Sequence, residues 1–221
     1  MRCRLSPFHQ RHAGIAPIIE VFDGAQAPLS FWIRRTFAGL RFLHQALVNS
    51  ALTTSGLRSA PAFSQREFRD ALGQFATGVT IITARGPEGQ PVGTTVSSFN
   101  ALSLHPSLVL WSLGLGAKSL PIFKNCSHYA IHVLAASQKP LAELFALKGA
   151  DRFSHTAHHD SVHGVPLLDE CTAVFECRNR NHHEEGDHLI FIGEVEHCEH
   201  HRERPPLLYH AGHMHTGGLM G

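Results

Sequence analysis

Residues 79–99, VTIITARGPEGQPVGTTVSSF, contain the pattern that decides the fold. The segment VTIITA (79–84) is apolar and rich in β-branched residues, which is typical of a buried strand. GPEG (86–89) is a turn sequence, and PVGTTVSSF (91–99) has the composition of a second strand. The stretch therefore predicts a β-hairpin.

The second strand of this hairpin carries hydroxyl side chains where a buried strand would normally carry aliphatic ones. They are Thr94, Thr95, Ser97 and Ser98. Small hydroxyl residues in an extended backbone indicate a lining for a polar ligand. The alternative is an edge strand whose hydroxyls simply face solvent.

A helix is predicted directly before the hairpin. Ser64 and Glu67 have the spacing of a capping box, in which the hydroxyl and the carboxylate satisfy free amides at the helix start. Apolar residues then follow at helical spacing as far as Ala76, and Gly78 lies where the helix should stop.

The rest of the chain predicts a mainly β fold with flanking helices. Further strands are expected at Leu108–Leu113, Tyr129–Leu134, Thr172–Arg178 and Leu189–His197, with short helices near Ser119–Asn125 and Pro140–Phe145. Several antiparallel strands with helices between them indicate a closed barrel. The chain has neither GxGxxG nor GxxxxGK[ST], so a bound nucleotide needs a cradle other than a Rossmann crevice or a P-loop.

Composition narrows the class of protein. The 221 residues are 43% hydrophobic with a net charge of +1, so nothing favours nucleic acid or anionic lipid as a partner. No apolar run reaches the roughly 18 residues of a membrane-spanning helix. The five scattered cysteines suit a reducing compartment better than a disulfide framework. We therefore expect a soluble, cytoplasmic protein.

Residues 1–62 differ in composition from the rest of the chain and are predicted to be an N-terminal extension. They contain seven Arg but only Glu20 and Asp23 as acids, and they end in the small polar run TTSGLRSAPA. A flexible tail with a short amphipathic helix, or translated sequence upstream of the true start, is favoured over a transit-like segment. The folded domain is expected over residues 63–221.

Eight runs in one unbroken order carry a resemblance to a known family. They are FRDALGQFATGVTIITA (68–84), PVGTTVSSFNALSLHPSLVLWSL (91–113), AKSLPIF (117–123), YAIHVLAASQKPLAELFA (129–146), DRF (151–153), GVPLLDECTAVFEC (164–177), GDHLIFIGEVE (186–196) and PPLLYHAG (205–212). Over about residues 63–213 the chain resembles the flavin reductase-like family of short-chain NAD(P)H:flavin oxidoreductases. The resemblance implies an FMN-binding split β-barrel, with FMN or else FAD as flavin and NADH or NADPH as hydride donor.

The resemblance also implies a set of flavin-binding residues. Backbone amides and hydroxyls along the hairpin strand would bind the polar edge of the flavin ring and the ribityl chain; these residues are Pro91, Val92, Gly93, Thr94, Thr95, Ser97 and Ser98. Trp111 and Ser112 would border the ring and its tail. Lys118 and Ser119 would bind the phosphate together with helix-start amides, and Ser119 would also cap the helix.

On the nicotinamide side, the resemblance implies His188 as the catalytic residue. It would orient the pyridine nucleotide, and Tyr209, His210, Ala211 and Gly212 would complete that pocket. The chain departs from the family pattern where the usual PP is His105–Pro106–Ser107, and where Met214 replaces an aromatic residue. The second departure lies at the nucleotide end of the site.

A metal-binding protein is a hypothesis from a different class. The chain has 19 His, and partial ligand sets occur as His197, Cys198, His200 and His201, and as His210, His213 and His215. A polar surface in which histidine takes the place of Lys or Arg explains the same composition. That interpretation is favoured, so no metal ligands are predicted.

The sequence therefore predicts a flavin reductase that supplies reduced flavin to a separate monooxygenase. The resemblance implies a homodimer with flavin near the subunit interface. The alternative is a split-barrel protein that binds flavin without efficient turnover.

Overall fold

The computed structural model describes residues 61–217. Within them the helices are α1 (Gln65–Gly73), α2 (Leu120–Asn125) and α3 (Lys139–Ala146), with a 3-10 helix at Ala136–Gln138. The strands are β1 (Thr77–Gly78), β2 (Thr80–Arg85), β3 (Pro91–Val96), β4 (Asn100–Leu104), β5 (Ser107–Gly114), β6 (His128–Val133), β7 (His158–Asp160), β8 (Pro166–Leu168), β9 (Ala173–Glu185), β10 (His188–His200), β11 (Leu208–His210) and β12 (His213–His215). The interpretation of residues 1–60 as an extension lies outside the described residues.

The predicted helix starts as expected but ends early. The Ser64 amide donates to Glu67 Oε2 at 2.8 Å and the Glu67 amide donates to Ser64 Oγ at 3.2 Å, which confirms the capping box. The expected end at Gly78 is wrong, because α1 stops at Gly73. Because the helix ends there, Thr77–Gly78 can form β1, which pairs with β11.

The predicted hairpin is confirmed and belongs to a seven-stranded antiparallel sheet. β2 pairs with β3 from Thr80 opposite Val96 to Arg85 opposite Pro91. The strand order is β3-β2-β6-β9-β10-β5-β4, so β2 is flanked on both sides. A three-stranded sheet of order β1-β11-β12 and the β7–β8 pair complete the mainly β fold.

Two apolar clusters lie on opposite faces of β2, which is why VTIITA reads as a continuous apolar run. Ile82 and Ala84 belong to the cluster inside the barrel, with Trp111, Tyr129 and Phe191. Ile81 belongs to the second cluster, which α3 covers with Ala142 and Phe145. The helix is therefore fixed against one wall of the barrel.

Strands β9 and β10 are longer than the sequence indicates. β9 runs to Glu185 rather than ending at Arg178, and β10 runs from His188 to His200. Their register shifts between Ile192 and Gly193 and again between Val195 and His197. Among residues 61–217, no helix is long and apolar enough to cross a membrane.

Candidate functional site

The hydroxyl-rich segment forms a junction between two strands of the barrel. After β3 the chain bends through Ser97 and Ser98 toward β4. The Ser98 hydroxyl donates to the Ser112 carbonyl at 3.0 Å and accepts from the Ser112 amide at 2.9 Å. Because Ser112 lies on β5, this pair links the segment that follows β3 to β5, the strand next to β4 at the opposite edge of the sheet. Ser98 and Ser112 thus lie together, as expected of one binding region.

The other hydroxyls of the segment divide into two groups. Thr95 Oγ1 donates to the Ala142 carbonyl of α3 at 2.8 Å, so its proton already has a partner. Within the described residues, no side-chain hydrogen bond involves Thr94, which is half-buried, or Ser97, which is exposed. Thr94 lies opposite Ile82 of the inner cluster, so its side chain faces the barrel interior, whereas the exposed Ser97 hydroxyl is free to contact a ligand.

Close packing requires glycine at position 93, in addition to the binding role predicted for Gly93. A Cβ atom at this position would lie 2.5 Å from Phe145 Cε1 of α3. The Gly93 carbonyl accepts from Arg152 Nη1 at 2.7 Å, and Arg152 Nη2 also donates to the Leu147 carbonyl at 2.6 Å. Sequence reasoning assigned no role to Arg152, although its DRF motif was part of the family resemblance. It holds the hydroxyl-rich strand against the end of α3.

Trp111, which is predicted to border the flavin, has its side chain in the barrel core. Trp111 has no exposed surface and stacks on Phe191 with ring centroids 4.3 Å apart. Adjacent residues of a strand face opposite sides, so Trp111 and Ser112 cannot both present side chains to one ligand. Ser112 keeps its position beside Ser98, while Trp111 supports the barrel from within.

The loop that carries Lys118 lies at the end of β5. Lys118 is exposed, and among residues 61–217 its ammonium group forms no ion pair. Ser119 occupies the N-cap position of α2, but its side chain makes no capping hydrogen bond, so the predicted cap is wrong. The Lys118 ammonium and the Ser119 hydroxyl therefore remain available to an anion.

The expectation that helix-start amides bind the phosphate also needs correction. The Leu120 amide donates to the Ala117 carbonyl at 3.0 Å, and the Ile122 and Phe123 amides both donate to the Ser119 carbonyl at 3.1 Å. The remaining position is Pro121, which has no amide hydrogen. These contacts leave the phosphate role to side chains and to the backbone before the helix.

His188 lies at the same end of the barrel as this loop. It is the first residue of β10, opposite Gly114, and the Leu115 amide donates to the Asp187 carbonyl at 2.9 Å. His188 Nδ1 lies 2.6 Å from Asp187 Oδ1, and this hydrogen bond lowers the pKa of Asp187 below its ordinary value. Since the ionised carboxylate only accepts, Nδ1 carries the hydrogen and Nε2 is free to meet a ligand.

The Tyr209–Gly212 segment lies on a different sheet. Tyr209 of β11 is opposite Thr77 of β1, and the Ala211 amide donates to the Gly73 carbonyl at 2.7 Å. Ala211 and Gly212 have φ values of 49° and 83°, which form the tight turn between β11 and β12. Within residues 61–217, no hydrogen bond, ion pair or strand pairing joins this segment to His188. Its shared pocket with His188 stays a prediction.

Two cavities among residues 61–217 lie away from this surface. One of about 430 Å³ is lined by Arg85, Asn125, Cys126, His128 and His163, and another of about 410 Å³ lies beside α3. Neither is lined by the predicted flavin-binding residues. The candidate site at one end of the barrel, with Ser97, Ser98, Ser112, Lys118 and His188, is separate from both cavities.

The fold and this surface define a barrel that offers hydroxyls, one cation and an oriented imidazole to an anionic, hydrogen-bonding ligand. The chain belongs to the family described as the flavin reductase like domain, whose model matches residues 72–218. This membership confirms the resemblance found in the sequence.

Named relatives agree with the family. "FMN reductase (NADH) SmoA" of Agrobacterium fabrum is 44% identical over 149 residues, which cover 67% of this chain and 84% of that protein. The reductase component of a flavin-dependent trigonelline monooxygenase of Acinetobacter baylyi is 40% identical, and the match covers 59% of this chain but only 42% of that protein. Some relatives are thus more than twice the length of the shared region.

A solved structure gives the same agreement in three dimensions. The NADH:FAD oxidoreductase SgcE6 of Streptomyces globisporus, solved with NAD and FAD fragments, superposes with a TM-score of 0.67 at 31% identity. The superposition covers 72% of this chain and 95% of that chain. Together with the flavin reductase PheA2, at a TM-score of 0.64 and 35% identity, it confirms the split-barrel fold class.

Proposed function

We propose that this protein is an NAD(P)H-dependent flavin reductase that transfers hydride to FMN, or to FAD, and supplies the reduced flavin to a partner flavin-dependent monooxygenase. The observation that carries the proposal is the grouping of the Ser98–Ser112 junction, Lys118 and His188 at one end of the barrel. The names of the similar proteins support the same reaction.

The residues at this end fit a flavin mononucleotide. The exposed Ser97 hydroxyl suits the carbonyls and ring nitrogens of the flavin edge, which must be hydrogen-bonded once buried. The exposed Lys118 ammonium suits the dianionic phosphate. When bound, the flavin accepts hydride from the nicotinamide and supplies the redox chemistry, so the protein contributes binding and orientation.

His188 orients the nicotinamide in this proposal. Asp187 holds the imidazole through Nδ1, which directs Nε2 outward beside Gly114. A hydrogen bond from this edge to the carboxamide would fix which face of the nicotinamide meets the flavin. Because the histidine breaks no bond itself, its effect is one of positioning.

A single set of assays tests the activity. Purified protein is mixed with NADH or NADPH and with FMN, FAD or riboflavin, and nucleotide oxidation is followed by absorbance. We expect oxidation only when flavin is present, with a clear preference for one nucleotide. Tight flavin binding with no nucleotide oxidation would instead identify a flavin-binding protein without turnover.

The exposed apolar side of α1 supports a homodimer. α1 buries none of its residues, and Phe68 and Leu72 are 51% and 57% exposed, with Phe75 beyond the helix at 71%. A second copy of the chain would cover this surface and, since Ala211 contacts Gly73, would bring the Tyr209–Gly212 turn close to the interface. Sedimentation at micromolar concentration should give a dimer mass, and an active monomer would contradict it.

The partner oxygenase and the compartment belong to the same proposal. Cys126, Cys171, Cys177 and Cys198 are unpaired in the described chain, which suits a reducing cytoplasm. A reductase that serves a separate oxygenase must release reduced flavin. Turnover of flavin in large excess over protein, with a trap for reduced flavin in solution, tests whether release occurs.

A further inference from the structure

Three metal-ligand side chains from distant parts of the sequence converge outside the candidate flavin site. His128 begins β6, His163 lies in the turn between β7 and β8, and Glu196 lies on β10. One ligand atom of each lies within 4.8 Å of the others. This is the one such group in residues 61–217, and it includes none of the histidine clusters that the sequence suggested.

The local backbone points Glu196 toward the histidines. Val195 is opposite Cys177 and His197 is opposite Glu176, so Glu196 is the extra residue of a β-bulge. A bulge re-aims a side chain away from the regular alternation of the strand. Bulges of this kind occur at sheet edges, at barrel rims and next to active sites.

Neighbouring groups bring the two histidines together. Their rings stack with centroids 3.9 Å apart and planes within 5°, so one ring must turn before both in-plane nitrogen lone pairs can meet at one ion. His128 Nδ1 lies 3.0 Å from Ser127 Oγ, which leaves Nε2 for another partner. The His163 amide donates to Ser161 Oγ at 3.2 Å within a tight turn, which fixes the backbone of His163 and leaves its exposed ring able to turn.

The distances fit a shared ion better than direct hydrogen bonds. Glu196 Oε2 lies 3.3 Å from His128 Nε2 and 3.5 Å from His163 Nε2. Charge-assisted hydrogen bonds are shorter, at roughly 2.7–2.9 Å. Two ligand atoms that each lie about 2.1 Å from a tetrahedral zinc ion are about 3.4 Å apart. The two observed N–O separations match this distance between ligand atoms.

The surroundings leave one coordination position open. Both histidines line the cavity of about 430 Å³ described above, so an ion between them would face it. Glu196 Oε1 lies 3.5 Å from Arg178 Nε, which leaves Oε2 for the ion. Cys126 also lines the cavity, but its Sγ donates to the Phe123 carbonyl at 3.3 Å, and it is not among the side chains whose ligand atoms lie within 4.8 Å of one another.

We propose that His128, His163 and Glu196 bind a divalent transition-metal ion of the zinc class, with a water molecule in the fourth position facing the cavity. Two imidazoles and one carboxylate with an open position are a common donor set for Zn²⁺. The site is separate from the residues assigned to flavin and does not depend on the proposed reductase activity.

Metal titration of tag-free, chelator-treated protein tests the proposal. Zn²⁺ binding is measured by calorimetry, and Co²⁺ binding by its visible absorption spectrum, which reports tetrahedral coordination. The variants are His163→Ala, in a turn, and Glu196→Gln, which keeps the side-chain size. His200→Ala is the matched control, since His200 is an exposed histidine on the same strand and belongs to a cluster that the sequence suggested.

The wild-type protein and His200→Ala should each bind one equivalent of Zn²⁺ with equal affinity. His163→Ala and Glu196→Gln should lose more than the roughly 10- to 100-fold that removal of an outer hydrogen-bonding partner costs. Circular dichroism of the metal-free variants checks their folding, and Glu196→Gln decides if His163→Ala misfolds. Unchanged affinity in the folded variants, loss in His200→Ala, or no saturable binding would overturn the proposal.

Discussion

The Ser98 hydroxyl forms two hydrogen bonds with the backbone of Ser112, one in each direction, at 3.0 and 2.9 Å. The contact joins the end of β3 to β5. Ser98→Ala should therefore lower the free energy of unfolding by about 1–3 kcal/mol, from two lost hydrogen bonds. Urea denaturation measures this loss. Ser97→Ala is the control, because Ser97 is exposed: it should keep the parental stability and weaken flavin binding only.

Lys118 is expected to bind the flavin phosphate. Lys118→Ala should weaken FMN binding by about 10- to 150-fold, because a charge-assisted contact contributes about 1.5–3 kcal/mol. Fluorescence titration with FMN and riboflavin makes the measurement, and riboflavin binding should hardly change. Lys148→Ala, at another exposed lysine, is the control. Equal FMN affinity in Lys118→Ala and the parent would show that the phosphate lies elsewhere.

His188 is expected to act on the nucleotide rather than on the flavin. His188→Ala should raise the NAD(P)H requirement or slow hydride transfer by about 10- to 100-fold while leaving flavin affinity nearly unchanged. Stopped-flow bleaching of the flavin separates these steps. Asp187→Asn should give a smaller defect of the same kind, since it removes only the carboxylate that orients the ring. A defect confined to flavin binding would contradict this role.

His132 should make the protein less stable in mild acid. It is fully buried between the Ile81 carbonyl and the Leu168 amide, and burial lowers its pKa to about 4 from 6.5. Between those values the unfolded chain binds a proton that the folded chain does not. Stability should therefore fall as the pH drops from 6.5 toward 4, by a total of about 3 kcal/mol, and stay level above that window.

Urea midpoints over this pH range measure the effect. His132→Leu removes the titrating group and should show a flatter pH dependence, whatever its absolute stability. His213→Ala, at an exposed histidine, should follow the parent. If His132→Leu loses as much stability in acid as the parent, groups other than His132 cause the effect.

We propose that the domain folds and works without residues 1–62. The capping box at Ser64 and Glu67 starts α1 independently, and Phe63 packs on Phe68 with ring centroids 5.4 Å apart. A chain that begins at Phe63 keeps both features and should reduce flavin at the parental rate. A chain that begins at Glu67 loses the cap and should be less stable by about 0.5–2 kcal/mol. Insolubility of the first chain would show that the earlier residues pack on the domain.

The sequence predicted the parts of the fold that depend on local signals. The capping box and the β2–β3 hairpin have short-range patterns, and both are confirmed. The ends of β9 and β10 and the short strands β4, β7, β8, β11 and β12 were missed. Their residues are polar or few, so pairing with distant strands determines their structure rather than local preference.

The candidate site was predicted less completely, for geometric reasons. Ser98 and Ser112 were assigned to one region and do lie together, but Trp111 faces the core because side chains alternate along β5. His128, His163 and Glu196 are far apart in the sequence, and a bulge turns Glu196 out of register. No spacing rule along the chain could have indicated that cluster.

The pairing of β5 with β10 has a consequence for folding kinetics. These strands are distant in the sequence, yet the end where His188 lies opposite Gly114 exists only after they meet. Non-local pairings of this kind form slowly, because the entropy of loop closure is lost before the stabilising contacts form. The surface at this end of the barrel therefore forms late in folding, after the transition state. Bound flavin should slow unfolding far more than it accelerates refolding.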